Sequence, residues 1–235
     1  MKLNIWNLSG KENQVAIQIK EITRAMSLTE TVTDNLRTSI INGSLSFGLH
    51  LSEASLAKAF AVSKTPVREA LFVLKKEGLI DIIPQKGSFV FNPTKKDVFE
   101  LCNFRGFIEP IALEESVKCA PDLFIKDLEA CIKKMDSSYK KQDYKKFLAL
   151  DAEFHQIPFE YCNNLYLQQS YQQVYSFIGA LRSNLTKNED SCFLLILNEH
   201  KNIVEQIKNK QIKEAKNSLV QHVVDVKALY QTIID

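Results

Sequence analysis

Residues 51–90 read LSEASLAKAFAVSKTPVREALFVLKKEGLIDIIPQKGSFV, and this stretch decides the fold of the first part of the chain. Leu56, Ala59 and Phe60 predict an apolar stripe on one short helix. Val67, Ala70, Leu71 and Leu74 predict another on a second helix, at i, i+3, i+4 and i+7. The link Ala61-Val62-Ser63 leaves room only for a tight crossing of two helices, a helix-turn-helix. Ser63 is placed to cap the second helix, and Pro66 falls in its first turn, where a missing N–H costs nothing. Lys64 and Arg68 then lie four residues apart opposite the buried stripe, with Thr65 beside them, as expected of a recognition helix that meets DNA near its N-terminus. After Gly78, LIDII and SFVF read as short strands, and Pro84-Gln85-Lys86-Gly87 as a basic turn suited to a wing.

LSEASLAKAF, VSKTPVREAL, LKKEGLI and QKGSFV together resemble the winged helix-turn-helix of the gluconate-repressor (GntR) family of bacterial transcription regulators. The resemblance implies DNA contacts from Ser63, Lys64, Thr65 and Arg68 and, on the wing, Lys86 and Gly87. Leu28 to Asn42 is similar to the family's opening helix, with Val32, Leu36 and Ile40 on one face, Gly43 as its stop, and Arg37 where a basic residue commonly touches phosphate. Three departures stand out. Lys64 replaces the usual arginine, keeping the charge but losing the fork that reads guanine. Ala54 removes a contact that some members make with arginine, and Phe47-Gly48 replaces the usual Pro-Gly.

At 235 residues, 45% apolar and 25% charged, the chain has room for one large domain or two modest ones with a real core. No apolar run approaches the roughly 20 residues of a membrane span. The start, MKLNIWNLSGKENQ, lacks the features of a signal peptide, so a cytoplasmic protein with no membrane partner is expected. Five cysteines without a CxxC read as reduced, mostly buried thiols. The net charge of +2 is too small to indicate nucleic acid, but its distribution agrees with it: residues 1–92 carry 11 Lys+Arg against 8 Asp+Glu, and residues 93–235 carry 19 against 20.

These signals predict three segments: an extension at 1–26, a winged helix-turn-helix at 27–92, and a helical domain at 93–235. In the extension, Glu12 to Met26 suits an amphipathic helix, although the Val15-Ile17-Ile19 alternation also permits a strand; a packed arm is preferred over a tail. At Asn92-Pro93 the ladder must stop, and Thr94 can cap a new helix. Five of the seven glycines precede residue 93. Beyond it, apolar residues at three- and four-residue spacing predict six or seven helices, roughly 94–119 (bent near Pro110), 122–140, 143–161 (disturbed at Pro158), 164–186, 191–209 and 211–233. Short connections imply an antiparallel bundle. The expected class is mostly α with a small β-wing.

Three of the four histidines fall in that bundle. His155 follows Asp151 by four residues, on the same face of one helix. His200 opens the apolar register continued by Ile203 and Ile207, and His222 sits among Leu219, Val223 and Val226. Taken singly, each is more often a satisfied core histidine than a ligand. Brought together, they supply three imidazoles and a carboxylate, a set suited to Zn²⁺, Ni²⁺ or Mn²⁺. LDAEFHQIPFEYCNN and EHKNIVEQIKNKQIKEAKNSLVQH resemble the FCD-type ligand-binding domain of the FadR-like branch, in which an Asp-x-x-x-His pair and two later histidines bind a divalent metal; Asp151, His155, His200 and His222 match all four positions.

The same resemblance, through LCNFRGFIEP, points Arg105 into an effector cavity, with Arg182 a weaker candidate. An ion pair of Arg105 with Glu109 at i+4 on the surface is the alternative. The paired lysines at 133–134, 140–141 and 145–146 read as solvated helix faces. The resemblance thus implies a repressor that binds an inverted-repeat operator as a homodimer and is controlled by a small carboxylate next to the metal. A metal-dependent enzyme with an accessory winged helix is the competing reading, and a protein–protein module a third.

Overall fold

A computed structural model gives the structure of the protein, describing residues 3–6, 12–15, 26–185 and 190–231. The chain opens with an antiparallel hairpin, β1 (Leu3–Trp6) and β2 (Glu12–Val15), paired from Leu3↔Val15 to Trp6↔Glu12. The helix expected from Glu12 to Met26 is therefore wrong at its start, where backbone pairing with β1 takes precedence over the 3.6-residue pattern; residues 16–25 lie outside the described residues.

The winged helix follows as α1 (Leu28–Ile41), β3 (His50–Leu51), α2 (Glu53–Ala59), α3 (Lys64–Lys76), β4 (Ile80–Ile83) and β5 (Gly87–Val90), with sheet order β3-β5-β4, all antiparallel. Ser27 and Glu30 form a reciprocal capping box that starts α1, and Gly43, at φ +72°, follows its end. Val32, Leu36 and Ile40 pack against Val67, Ala70, Leu71 and Leu74 of α3, as their spacing predicts. Truncating one of these, such as Leu74→Ala, should cost about 2–5 kcal/mol.

Two local expectations change. On α2 the buried residue is Ala57, while Ala59 is exposed; Leu56 and Phe60 are half-buried, so the stripe is rotated. Ser63 occupies the N-cap of α3 without capping it through its side chain, leaving that hydroxyl at the exposed end of the helix.

Thr94 and Asp97 form a second capping box at the head of α4 (Lys95–Cys119). Then come α5 (Pro121–Lys140), α6 (Tyr144–Tyr161), α7 (Leu165–Leu185), α8 (Asp190–Lys208) and α9 (Ile212–Gln231). Among the described residues the bundle thus has six helices, and both α4 and α6 continue through their prolines, Pro110 and Pro158. One core joins α5, α6, α8 and α9 through Phe124, Met135, Phe147, Phe193, Ile203 and Leu219; another joins α4, α7 and α9 through Val98, Tyr171, Ile178 and Val223. Helix α7 also supplies fully buried Ala180 to the core of the winged helix. No described helix is long and apolar enough to cross a membrane.

Candidate functional site

Mid-way along the bundle, α6, α8 and α9 bring Asp151, His155, His200 and His222 together, each from the buried side of its helix. One ligand atom from each lies within 4.8 Å of all the others. Asp151 Oδ1 stands 3.5 Å from His200 Nε2 and 3.9 Å from His155 Nε2, and His155 Nε2 is 3.2 Å from His222 Nε2. Metal–nitrogen bonds of about 2.1 Å place ligand atoms roughly 3–4 Å apart, so only a slight contraction is required.

The neighbours fix which lone pairs face inward. His155 Nδ1 meets Glu109 Oε2 at 2.8 Å, and His222 Nδ1 meets Glu199 Oε2 at 2.6 Å. With each Nδ1–H donating to a carboxylate, both Nε2 atoms present lone pairs to one another. His200 stacks on Phe154 at 4.0 Å between centroids, and neither of its nitrogens has a hydrogen-bond partner; Asp151 Oδ1 lacks one too. Four inward-facing electron-pair donors in a buried space are mutually repulsive unless a cation lies between them. Burial, reinforced by Arg105 and Arg182, holds His155 well below its ordinary pKa, and burial with His222 takes His200 down to about 3. Burial works against the charge on Asp151, but Arg182 and the three histidines keep its carboxyl below the usual range. Neutral imidazoles beside an ionised carboxylate are the forms a divalent cation binds.

Arg105 and Arg182 are both buried at this centre. Arg182 Nε is 2.5 Å from Asp151 Oδ2, and Arg105 Nε is 2.6 Å from Glu109 Oε1. The Arg105–Glu109 pair expected as an exposed alternative therefore exists, but inside the bundle, with Glu109 bridging Arg105 to His155. Arg105 Nη2, Arg182 Nη1 and Nη2, and the Tyr171 hydroxyl remain without partners. The cavity between Arg105, Asp151, Arg182 and His222 measures only about 10 Å³, enough for roughly one water molecule. Glu199 and Tyr171 escape sequence reasoning; Glu109 reads from its i+4 spacing only as a surface partner of Arg105, and its contact with His155 is missed.

At the other end of the chain, Ser63, Lys64, Thr65 and Arg68 are all exposed around the first turns of α3. Arg68 is held by Glu53 at the head of α2, through 3.1 and 2.8 Å bonds. Lys86 and Gly87 lie at the tip of the wing. Gly87 has φ +109°, and a Cβ there would come 2.7 Å from His50 Nε2, so the turn needs a residue with no side chain. Arg37, expected as a phosphate contact, is partly exposed and already paired within the domain. Its guanidinium grips both oxygens of Glu77, at 2.8 and 2.7 Å, and also meets Asp34, clamping the end of α3 to α1.

A helix-turn-helix with a three-stranded wing, joined to an all-helical bundle, defines a DNA-binding regulator architecture. The chain belongs to the gntR family of bacterial regulatory proteins, whose profile matches residues 28–90, and carries an FCD domain at residues 100–225. It is 31% identical over 195 residues to the gluconate operon transcriptional repressor of Bacillus subtilis (strain 168), covering 81% of this chain and 80% of that one. It is 28% identical to the HTH-type transcriptional regulator YdhC of the same organism, covering 80% and 84% respectively. Among solved structures, a GntR transcriptional regulator from Rhodococcus sp. RHA1 shares the fold at a TM-score of 0.77 and 21% identity, covering 89% of this chain and 100% of that one. The family is one of transcriptional regulators, not enzymes.

Proposed function

We propose that this regulator binds an inverted-repeat operator as a homodimer and that a divalent metal and a small carboxylate in its bundle set its operator affinity. The observation that carries the reading is the set of inward lone pairs on Asp151, His155, His200 and His222, with Asp151 Oδ1 and His200 Nε2 buried and unpartnered. Those four residues would hold the metal; Zn²⁺, Ni²⁺ and Mn²⁺ all accept such a donor set. The bound ion would supply an open coordination position for the effector's carboxylate. Glu109 and Glu199 orient the His155 and His222 rings. The unpartnered N–H groups of Arg105 and Arg182 would receive the effector's remaining oxygens, and the small cavity requires one of those side chains to swing aside first.

Domain roles follow the division expected at Asn92-Pro93. Ser63, Lys64, Thr65 and Arg68 would meet base edges and phosphates, with Lys86 and the tight Gly87 turn following the adjacent backbone. Arg37 is assigned to holding α1 on α3. For the second copy, exposed Phe107 and Ile111 on α4 and Val220 and Val224 on α9 make an apolar face along the contact of these helices. That face lies between the Lys216–Glu114 ion pair and the Lys227–Phe99 contact. Repression of the operator-bearing gene agrees with the relatives' names.

The deciding experiment measures bound metal, melting temperature and operator binding on the full chain. Metal at one per protomer that is lost in His200→Gln, together with salt-sensitive preference for its own promoter DNA over random duplex, is the expected result. Equal affinity for both duplexes would overturn the regulator reading, and metal content untouched by His200→Gln would overturn the metal reading.

A further inference from the structure

Helix α7 touches both halves of the molecule at once. On one face, Arg182 reaches α6 and pairs with Asp151 Oδ2. Two residues earlier, and so about 200° around the helix, Ala180 is fully buried in the winged-helix core. One residue before that, Gly179 meets the last residue of α1: a Cβ there would lie 3.0 Å from Ile41 Cγ2. Phe177 packs against Phe91 with the ring centroids 4.4 Å apart and the planes tilted, and Ser183 lies beside Gly43. Glycine and alanine let the two backbones approach closely, so little slack exists at this junction to absorb a shift of α7. Helix α1 in turn is tied to the recognition helix by Arg37–Glu77 and Thr29–Glu69.

We infer that α7 couples the bundle's centre to the DNA-binding helices, with Arg182 as the positioning residue through which Asp151 sets the placement of α1. This rests on the metal reading for its trigger, but the coupling itself is a property of residues already in contact. Asp151 now spends Oδ2 on Arg182 and leaves Oδ1 unpartnered. A carboxylate drawn toward a cation loosens its hold on the guanidinium, whose Nη1 and Nη2 already lack acceptors. A buried guanidinium deprived of its last partner must find another, so Arg182 moves and α7 adjusts with it. A cleft of about 600 Å³, lined by Ile41, Asn42, Tyr144, Leu148, Gly179 and Ser183 among others, gives the end of α1 room to follow.

Amide hydrogen exchange and operator binding on the full chain test this, with Ni²⁺ alone as the probe. The reporters are the amides of Asn42, Gly43 and Leu45, which bond Thr38, Ile40 and Ser39 at the end of α1. Ni²⁺ should change their exchange in the wild type, Arg182→Gln should produce a similar change with no metal, and Arg182→Lys should keep the metal-free wild-type pattern. Ile41→Ala should bind Ni²⁺ with wild-type affinity and still bind operator. Its metal-dependent change in operator affinity, roughly 5–150-fold for ordinary coupling, should collapse toward none. Wild-type exchange in metal-free Arg182→Gln, or full metal dependence in Ile41→Ala, would overturn the inference. If Ni²⁺ fails to bind the wild type, the metal reading falls, while metal-free Arg182→Gln against wild type still decides the coupling; should Arg182→Gln not fold, exchange in Arg182→Lys set against Ile41→Ala decides it.

Discussion

The winged helix and the bundle each contain an arginine–carboxylate pair close to the candidate site residues, in opposite surroundings. Arg68 and Glu53 meet at 2.8 Å at the surface, with 59% of the arginine side chain exposed. Arg182 and Asp151 meet at 2.5 Å with side-chain exposures of only 4% and 6%. In water the first pair can part readily, and a phosphate can replace Glu53 as the partner of Arg68 at small cost. The second can part only if another charge replaces one member, since an uncompensated charge in the interior is expensive. One pair suits a residue that must be available to any duplex; the other suits a residue that responds only to a particular cation or anion. In the proposed function, sensing falls to the buried pair because it cannot separate without a cause.

The strongest way to break this contrast is Asp151→Asn. It leaves Arg182 buried without a counter-charge and should cost about 3–5 kcal/mol. Denaturant unfolding of metal-stripped protein measures it, so metal loss does not enter the result. A cost in the range of an exposed pair, about 0–1 kcal/mol, would mean that the interior around Arg182 is wetter than the fold implies.

His200 should behave differently from Asp151, although both belong to the same candidate ligand set. Its nitrogens have no hydrogen bonds to lose, so His200→Gln in metal-stripped protein should forfeit mainly the stacking on Phe154 and cost less than Asp151→Asn. Its larger cost should emerge only with metal. At a free metal concentration 100 times the dissociation constant, binding adds about 2.7 kcal/mol to the wild type, and the variant should gain none of it. A melting-temperature series against Ni²⁺ separates these cases; an equal rise in both proteins would remove His200 from the ligand set.

The same burial gives a pH signature. His155 and His200 titrate below their ordinary value when folded, so below about pH 6.5 the unfolded chain binds protons that the folded chain does not. Stability therefore falls as pH drops through that value, and for His200 the loss continues down to about pH 3. Each such histidine contributes a slope of about 1.4 kcal/mol per pH unit. Metal-stripped His200→Gln should show one histidine's slope less than the wild type between pH 6 and 5. Parallel curves would indicate that His200 is protonated in the folded protein.

How much of this was legible in the residues differs between the two regions. In the winged helix, the buried Val67-Ala70-Leu71-Leu74 stripe and the strands either side of Pro84–Gly87 follow from spacing that one element sets by itself. In the bundle, spacing places Asp151, His155, His200 and His222 on inward stripes, and resemblance brings them together. Their supporting partners depend on contacts between helices, which no single period contains: His155 reaches Glu109 across 46 positions and His222 reaches Glu199 across 23. Arg37 shows the same limit on α1. Its charge is plain in the sequence, but the partner that occupies it, Glu77, lies 40 residues away. The hairpin at Leu3–Trp6 and Glu12–Val15 was obscured because four-residue strands are too short to override a helical pattern by periodicity alone.

The exposed pair gives the smallest effect on stability and the sharpest on function. Arg68→Ala should leave the melting temperature where it is, since its side chain is mostly in water and its partner Glu53 becomes solvated when freed. Operator affinity should fall, and the slope of log affinity against log salt should become shallower by about one if Arg68 meets a phosphate. If it instead meets a base edge, the loss should be confined to one operator position, about 1–3 kcal/mol of discrimination, with the salt slope little changed. Glu53→Gln separates the pair from the contact. It releases Arg68 without removing its charge, so operator binding should hold or tighten. A loss of affinity in Glu53→Gln matching that of Arg68→Ala would show that the pair itself positions the arginine for DNA, making the surface pair as structural in its role as the buried one.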